Sequence, residues 1–435
     1  MKNKRFVYGT LAVCLLALFL NASAVLGIGN ETRLLSSSPG SRQERVPVGV
    51  LLPFSGQYSR MSENIFRVIQ MSAEEVNKHG GIGGRKVVLV KGDTRARADI
   101  GAVVSQRLVD VDGVIAFIGP SSLSFTGVKK TIRNNKVPMI SPTAGITEFD
   151  RAGRMYFYRT VPSDSLGGRA IVRAITGCQL FLGLDRRFSS VVMMIGRSPA
   201  MISFKRPIQD GMDEFGGSLT DLIEYETGKD SYEEEIHKAL EAAPDIIILI
   251  GTPRDSVLIM NATLEAGYEG WWFVTQDQTN DEFIRLAGSE SVRHVYGVQE
   301  TSPKETIDRV EAFKKRFKDY WEENLGPFGT STYDASNILF LAMLRVELRN
   351  GELSRETVAK NIPRVANGGS NKVEVTDFLE GKQTLETGKE INYQGLDGPM
   401  DFDDYGNVVT PYAIRQVREG VWRTIATINV HDLKR

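Results

Sequence analysis

Val48-Gly-Val-Leu-Leu52 is an apolar run that leads into Pro53-Phe-Ser-Gly56. An amphipathic stretch follows from Met61 to Lys78, then His79-Gly-Gly-Ile-Gly-Gly-Arg-Lys86 and a second apolar run that ends at Asp93. This order spells strand, loop, helix, turn, strand. Such a unit commits the chain to a parallel sheet, because two strands joined through a helix run the same way. It also puts the first loop at a strand's C-terminal end, where open α/β sheets bind their ligands. Within the helix, Ile65, Ile69 and Ala73 recur at i, i+4, with Val68 and Val76 beside them, and Gly80-Gly81 ends it.

The same alternation continues. Val87-Val-Leu-Val90, Val114-Ile-Ala-Phe-Ile118 and Val137-Pro-Met-Ile140 read as strands covered on both faces, and Ile100, Val103, Val104 and Leu108 mark a helix between two of them. A second series begins after Thr160-Val-Pro-Ser-Asp164. Its strands are Val191-Val-Met-Met-Ile195, Leu219 to Glu224, Ile246-Ile-Ile-Leu-Ile250 and Trp272-Phe-Val-Thr275, with helices near 204–215, 233–242 and 255–266 and Asp255 as an expected N-cap. At 435 residues the chain exceeds one ordinary core. The predicted fold class is α/β, with two doubly wound Rossmann-like lobes. Beyond Asp308 the pattern turns helical over about 308–324, 332–350 and 354–361. Residues 366–390 show no firm element, and the tail from Pro399 reads as short antiparallel strands joined by turns.

The N-terminus reads as a targeting segment. Lys2, Lys4 and Arg5 precede an apolar stretch from Phe6 to Leu20, and Ala22-Ser-Ala24 is a small-residue cleavage site. Residues 1–24 are therefore a predicted secretory signal peptide and 25–45 a flexible tether. An uncleaved anchor and a lipoprotein anchored through Cys14 are the alternative readings. The mature chain is expected to be exported, periplasmic or extracellular, and a soluble monomer.

Composition narrows the function classes. A net charge of −1 and the absence of any Lys/Arg block argue against nucleic acid as a partner. One mature cysteine, Cys178, cannot form an internal disulfide, and four His without paired spacing give a metal site little support. Cys178 reads as a buried helix residue. The glycines of Gly80–Gly84 lie before a strand, where a dinucleotide fingerprint must follow one, so they read as a turn. Ser121, Ser122 and Ser124 follow Gly119-Pro120 without Gly-x-Ser-x-Gly spacing or a partner histidine. No enzyme and no cofactor is expected.

What remains are loops at strand ends. Gly119-Pro-Ser-Ser-Leu-Ser124 opens a helix, so its free N–H groups and hydroxyls suit an anionic ligand group; the alternative is a plain serine N-cap. Ser141-Pro-Thr-Ala-Gly145 is a second such loop. In the second series Gly196-Arg-Ser198, Gly251-Thr252 and Gln276-Asp277 hold the same position. Arg197 suits a carboxylate, or is a solvated arginine. Asp277 suits a ligand cation, or caps a nearby helix.

Nine blocks, in order, carry a family resemblance: Val48–Gly56, Ala73-Glu-Glu-Val-Asn77, His79–Gly84, Arg107-Leu-Val109, Ile118-Gly-Pro120, Pro138-Met-Ile-Ser-Pro142, Tyr158-Arg-Thr-Val-Pro162, Tyr333-Asp-Ala335 and Gly398-Pro-Met-Asp-Phe402. Over about residues 46 to 430 the chain resembles the periplasmic substrate-binding proteins of branched-chain amino acid (Leu/Ile/Val-type) ABC transporters. The resemblance implies a type I periplasmic-binding fold with three crossovers, lobe 1 over 46–162 and 298–393 and lobe 2 over 163–297 and 394–435. It further implies a small amino acid or related carboxylate or amide in the interlobe cleft, and an ABC permease as partner. A sensing subunit of the same fold is the rival reading. The expected ligand residues are Tyr58, Met61, Ser122, Leu123, Ser124, Thr143, Ala144 and Gly145 of the first lobe and Arg197, Thr252 and Asp277 of the second, with Met61 near the family's first-loop aromatic position and Asp277 near its acidic one. The family's hydroxyl positions fall on Leu123 and Gly145, and an aromatic on Ala200. Its usual cysteine pair is missing. These departures leave the ligand's class open between α-amino acid, amide and aromatic or other small acid.

Overall fold

In the computed structural model, residues 45–153 and 155–433 are described; the expected signal peptide and nearly all of the tether lie outside them. The first sheet comprises β1 (Arg45–Leu52), β2 (Lys86–Asp93), β3 (Ala116–Ile118), β4 (Met139–Ser141) and β5 (Phe157–Arg159), all parallel, in the order β2-β1-β3-β4-β5. Helices α1 (Ser59–Lys78), α2 (Ala98–Asp110) and α3 (Ser122–Asn135) connect them. Val48, Val50 and Leu52 of β1 pack against Ile65, Ile69 and Ala73 of α1 on one face, while Leu51 and Phe117 meet Val128 and Ile132 of α3 on the other. Both faces are covered, as the continuous apolar runs require.

After Thr160–Ser163 the chain enters a second layer system through α4 (Asp164–Thr176). Strands β6 (Val191–Gly196), β7 (Asp221–Tyr225), β8 (Ile246–Ile250), β9 (Trp271–Val274) and β10 (Val295–Glu300) are parallel, in the order β7-β6-β8-β9-β10. Each lobe thus repeats one strand order, with a topological switch beside its first strand. The chain then returns to the first lobe. Helix Gly329–Leu348, buried along nearly all of its length, joins the core under β1, and a small sheet forms from β11 (Lys372–Val375), β12 (Glu390–Gly395) and β13 (Gly398–Pro399). The third crossing leads to β14 (Tyr412–Arg418) and β15 (Val421–Ile428), an antiparallel hairpin on the edge of β10.

Several sequence expectations shift. The chain stays with the first lobe past residue 394, because Met400, Phe402 and Val408 are buried in that lobe's core; the crossing lies near Thr410. Likewise β10 remains in the second sheet to Glu300, beyond the expected boundary at 297. The polar stretch 366–390 contains β11 and the helix Phe378–Glu386. Asp255 is not an N-cap: Thr252 caps that helix, and Asp255 sits in its first turn accepting from the Gly228 amide at 3.1 Å. Cys178 is buried at the start of a short helix.

Candidate functional site

Most loops that leave the C-terminal ends of the parallel strands, those after β2 and β7 excepted, contribute to one cleft. From the first lobe come Pro53, Tyr58 and Met61 after β1, Ser121, Ser122 and Leu123 after β3, Thr143 and Gly145 after β4, and Val161 after β5. From the second come Ala200, Met201 and Phe204 after β6, Ile250 and Gly251 at the end of β8, Thr275, Gln276 and Asp277 after β9, and Glu300 at the end of β10. Asp164, at the crossing, and Phe328 complete the wall, around about 740 Å³ of space partly open to solvent. The two faces approach closely. Burial and the fields of Asp277 and Asp255, both in the second lobe, push the Tyr58 phenol up.

The first-lobe wall is built to donate hydrogen bonds. Ser121 precedes α3 with extended backbone, yet its side chain makes no cap hydrogen bond. Its hydroxyl is buried without a partner, as is that of Thr143. Buried polar groups left unpaired are costly and uncommon. Here two of them flank the open N-terminus of α3, where N–H groups favour an anion. Ser122 Oγ accepts from the Ile146 amide at 3.2 Å and keeps its proton free to donate. Ser141 Oγ holds the second loop in shape, donating to the Pro120 carbonyl at 2.6 Å and accepting from the Thr143 and Ala144 amides at 3.2 and 2.9 Å.

The opposite wall is acidic. Asp277 sits in a short 3-10 turn whose base is fixed by Gln278, which donates to the Gly251 carbonyl at 2.7 Å and accepts from Thr275 Oγ1 at 2.9 Å. Burial raises the Asp277 carboxyl to about 6. Burial likewise raises Asp164 to about 7, against the lowering effects of the Ser203 hydroxyl and Arg159. Glu300 rises to about 8, through burial and then the neighbouring charges of Asp164, Asp277 and Asp397. Desolvation and like charge both disfavour the ionised form.

The structure gathers Tyr58, Met61, Ser122, Leu123, Thr143, Gly145 and Asp277 of the expected residues into one wall. Four others lie elsewhere. Ser124 is fully buried against Gly101 of α2. Ala144 is buried beneath its loop, its carbonyl accepting from Arg159. Arg197 is exposed and paired with Glu226 at 3.1 Å and Glu224 at 3.4 Å. The Thr252 hydroxyl is taken by the Asp255 amide at 3.1 Å. Gly145 has a physical reason to be glycine: a Cβ there would lie 2.2 Å from Asp164 Oδ1. The Asp164 carboxylate occupies the space that a side chain at this position would need. Sequence reading missed Asp164, Glu300, Phe204 and Phe328. Asp164 was visible at the end of the Thr160–Asp164 crossing, but Glu300 ends a strand that the apolar pattern did not reveal.

A family model described as periplasmic binding protein matches residues 45–421. The chain is 25% identical over 382 residues, 86% of its own length and 87% of the relative's, to the chemotactic signal transduction system substrate-binding protein BasB of Halobacterium salinarum. The leucine-binding protein LivK of Thermotoga maritima matches with a TM-score of 0.73 at 22% identity, over 89% of this chain and 99% of that one. A solute-binding protein of an ABC transporter from R. palustris, in complex with benzoate, matches with a TM-score of 0.71 at 17% identity, over 88% and 96%. At such identities the solved structures speak for the fold.

Proposed function

The chain belongs to the periplasmic binding protein family, in the type I fold of that family, and on that footing we propose that it is the solute-binding component of an ABC importer. It captures a small amino acid, or a related carboxylate or amide, in the interlobe cleft and presents it to the permease. The family and its fold neighbours are substrate-binding proteins, not enzymes. Family membership implies an exported protein, and among the described residues no helix is long and apolar enough to cross a membrane. In this reading the N-terminal segment directs export to the periplasm or beyond, and the mature chain works as a monomer.

One observation carries the reading: unpartnered hydroxyls of Ser121 and Thr143 at the head of α3 share a cavity with Asp277, whose carboxylate has no ion-pair partner among the described residues. A carboxylate accepts from the hydroxyls and the first N–H groups of α3, while an ammonium meets Asp277. Because the donors belong to one lobe and the acid to the other, such a ligand stabilises the closed arrangement through contacts the open one lacks. A thermal-shift screen of amino acids, amides and aromatic acids tests this, since a ligand of the folded state raises its melting temperature. At least one class is expected to raise it; no shift from any of them would overturn the proposal.

The likeness to a chemotaxis substrate-binding protein favours a second reading, a sensor of the same ligand that reports to a signal transducer. Permease and ATPase genes beside this one support import, and transducer genes there support sensing.

A further inference from the structure

The cleft has a charge imbalance that a simple amino acid does not resolve. Three carboxyl groups, Asp164, Asp277 and Glu300, line it, and among the described residues its wall holds no Lys, Arg or His. The Arg159 guanidinium, whose charge acts on Asp164, is fully buried with both terminal nitrogens engaged: they donate to Asp150 Oδ1 at 2.6 Å and to the carbonyls of Ala144, Gly145 and Ile146 at 3.0 to 3.2 Å, and only Nε lacks a partner. Asp164 accepts from Ser203, whereas no side chain among the described residues donates to Asp277 or Glu300. Buried acids left this way stay protonated unless a positive partner favours the ionised form. An anionic ligand would disfavour their ionisation further, and a zwitterion brings a single ammonium for three acids. No three His, Cys, Asp or Glu side chains among the described residues converge to hold a metal ion, so a compact divalent cation does not match the spread of these groups. Two positive charges separated along a chain do. The unpartnered, buried Ser121 and Thr143 hydroxyls call at the same time for an acceptor, which a bare diamine lacks.

We propose that the cleft is selective for a basic α-amino acid, of the lysine or ornithine kind. Its carboxylate lies at Ser121, Thr143 and the head of α3, and its two cationic groups are shared among Asp277, Asp164 and Glu300. The aliphatic stem runs along the apolar wall that Tyr58 and Phe204 contribute. This deepens the reading of the site as an amino acid cleft and rests on it.

Calorimetric titration of the purified protein with lysine, ornithine, norleucine and leucine tests it, alongside the isosteric Glu300→Gln variant. Norleucine keeps the stem and loses the second charge. Lysine or ornithine is expected to bind at least tenfold more tightly than norleucine, with that ratio collapsing in Glu300→Gln. Norleucine or leucine binding as tightly as lysine would overturn this inference while leaving an amino acid cleft intact. Should Glu300→Gln fail to fold, the wild-type ratio alone decides. No binding of any amino acid would overturn the underlying reading as well.

Discussion

Thr143 carries a buried hydroxyl without a protein partner, which makes Thr143→Val an informative substitution. The two side chains have the same shape, and the loss of an unsatisfied polar atom costs the fold nothing. The melting temperature of the ligand-free protein should stay the same or rise slightly, while ligand affinity falls about tenfold, the worth of one hydrogen bond. A drop in stability with unchanged affinity would place the hydroxyl in the structure rather than the site. Single residues of this kind were partly readable beforehand. Position after a strand end singled out Ser122, Leu123, Thr143, Gly145 and Asp277, because parallel topology forces those loops to one edge. It could not separate Thr143 from Ser124, since two residues in neighbouring loops look alike until it is known which one faces a helix and which the cleft. Asp164 and Glu300 escaped for another reason: their role comes from burial beside each other, and they stand 136 positions apart in the chain.

Among the secondary-structure elements, helix Pro253–Glu265 illustrates how a candidate ligand residue turns out to be local architecture. The Thr252 hydroxyl accepts from the Asp255 amide and satisfies a first-turn N–H. Thr252→Ala should therefore lower stability by about 1 kcal/mol, read from denaturant unfolding, and leave ligand affinity unchanged. A large affinity loss with intact stability would return Thr252 to the site. Long apolar strands such as Val191–Gly196 and Ile246–Ile250 were plain in the sequence because both faces are buried. Strand β5, three residues long, and β10, whose Val295-Tyr-Gly-Val-Gln-Glu300 mixes polar and apolar residues, gave no such signal. Strand β11 was hidden too: it is four residues long and only Val375 is buried, so its two valines make too short a run to announce a strand.

Taken as one body, the protein stores acid groups at the junction of its lobes. Asp164 is raised to about 7, Asp277 to about 6 and Glu300 to about 8. Beside the cleft, burial and then Asp397 raise Asp334 to about 7, although it accepts from Tyr393 and from the Leu396 and Asp397 amides. In the unfolded chain these carboxyls titrate near pH 4. Between about pH 4 and 8 the folded state accordingly binds more protons than the unfolded state, and stability falls as pH rises through that window. The melting temperature of the ligand-free protein is expected to decline from pH 5 to 8, and Glu300→Gln should flatten the upper part of the decline. A melting temperature that climbs across the same range would mean these carboxyls ionise freely. A cationic ligand reverses the penalty by pairing with them, so its stabilising effect should be greatest at the alkaline end.

The two-lobed architecture was readable from alternating strands and helices, and the second and third crossing points were not, because a crossover is a short polar segment like any other loop. The proposed function has the two halves united by a solute enclosed between them. Titration calorimetry of wild-type protein and of Asp277→Ala against the common amino acids puts this to the test. Saturable one-to-one binding of at least one amino acid, weakened at least tenfold in Asp277→Ala, is the expected result. Binding that ignores the loss of Asp277, or no binding at all, would contradict a cleft that grips an amino acid from both sides.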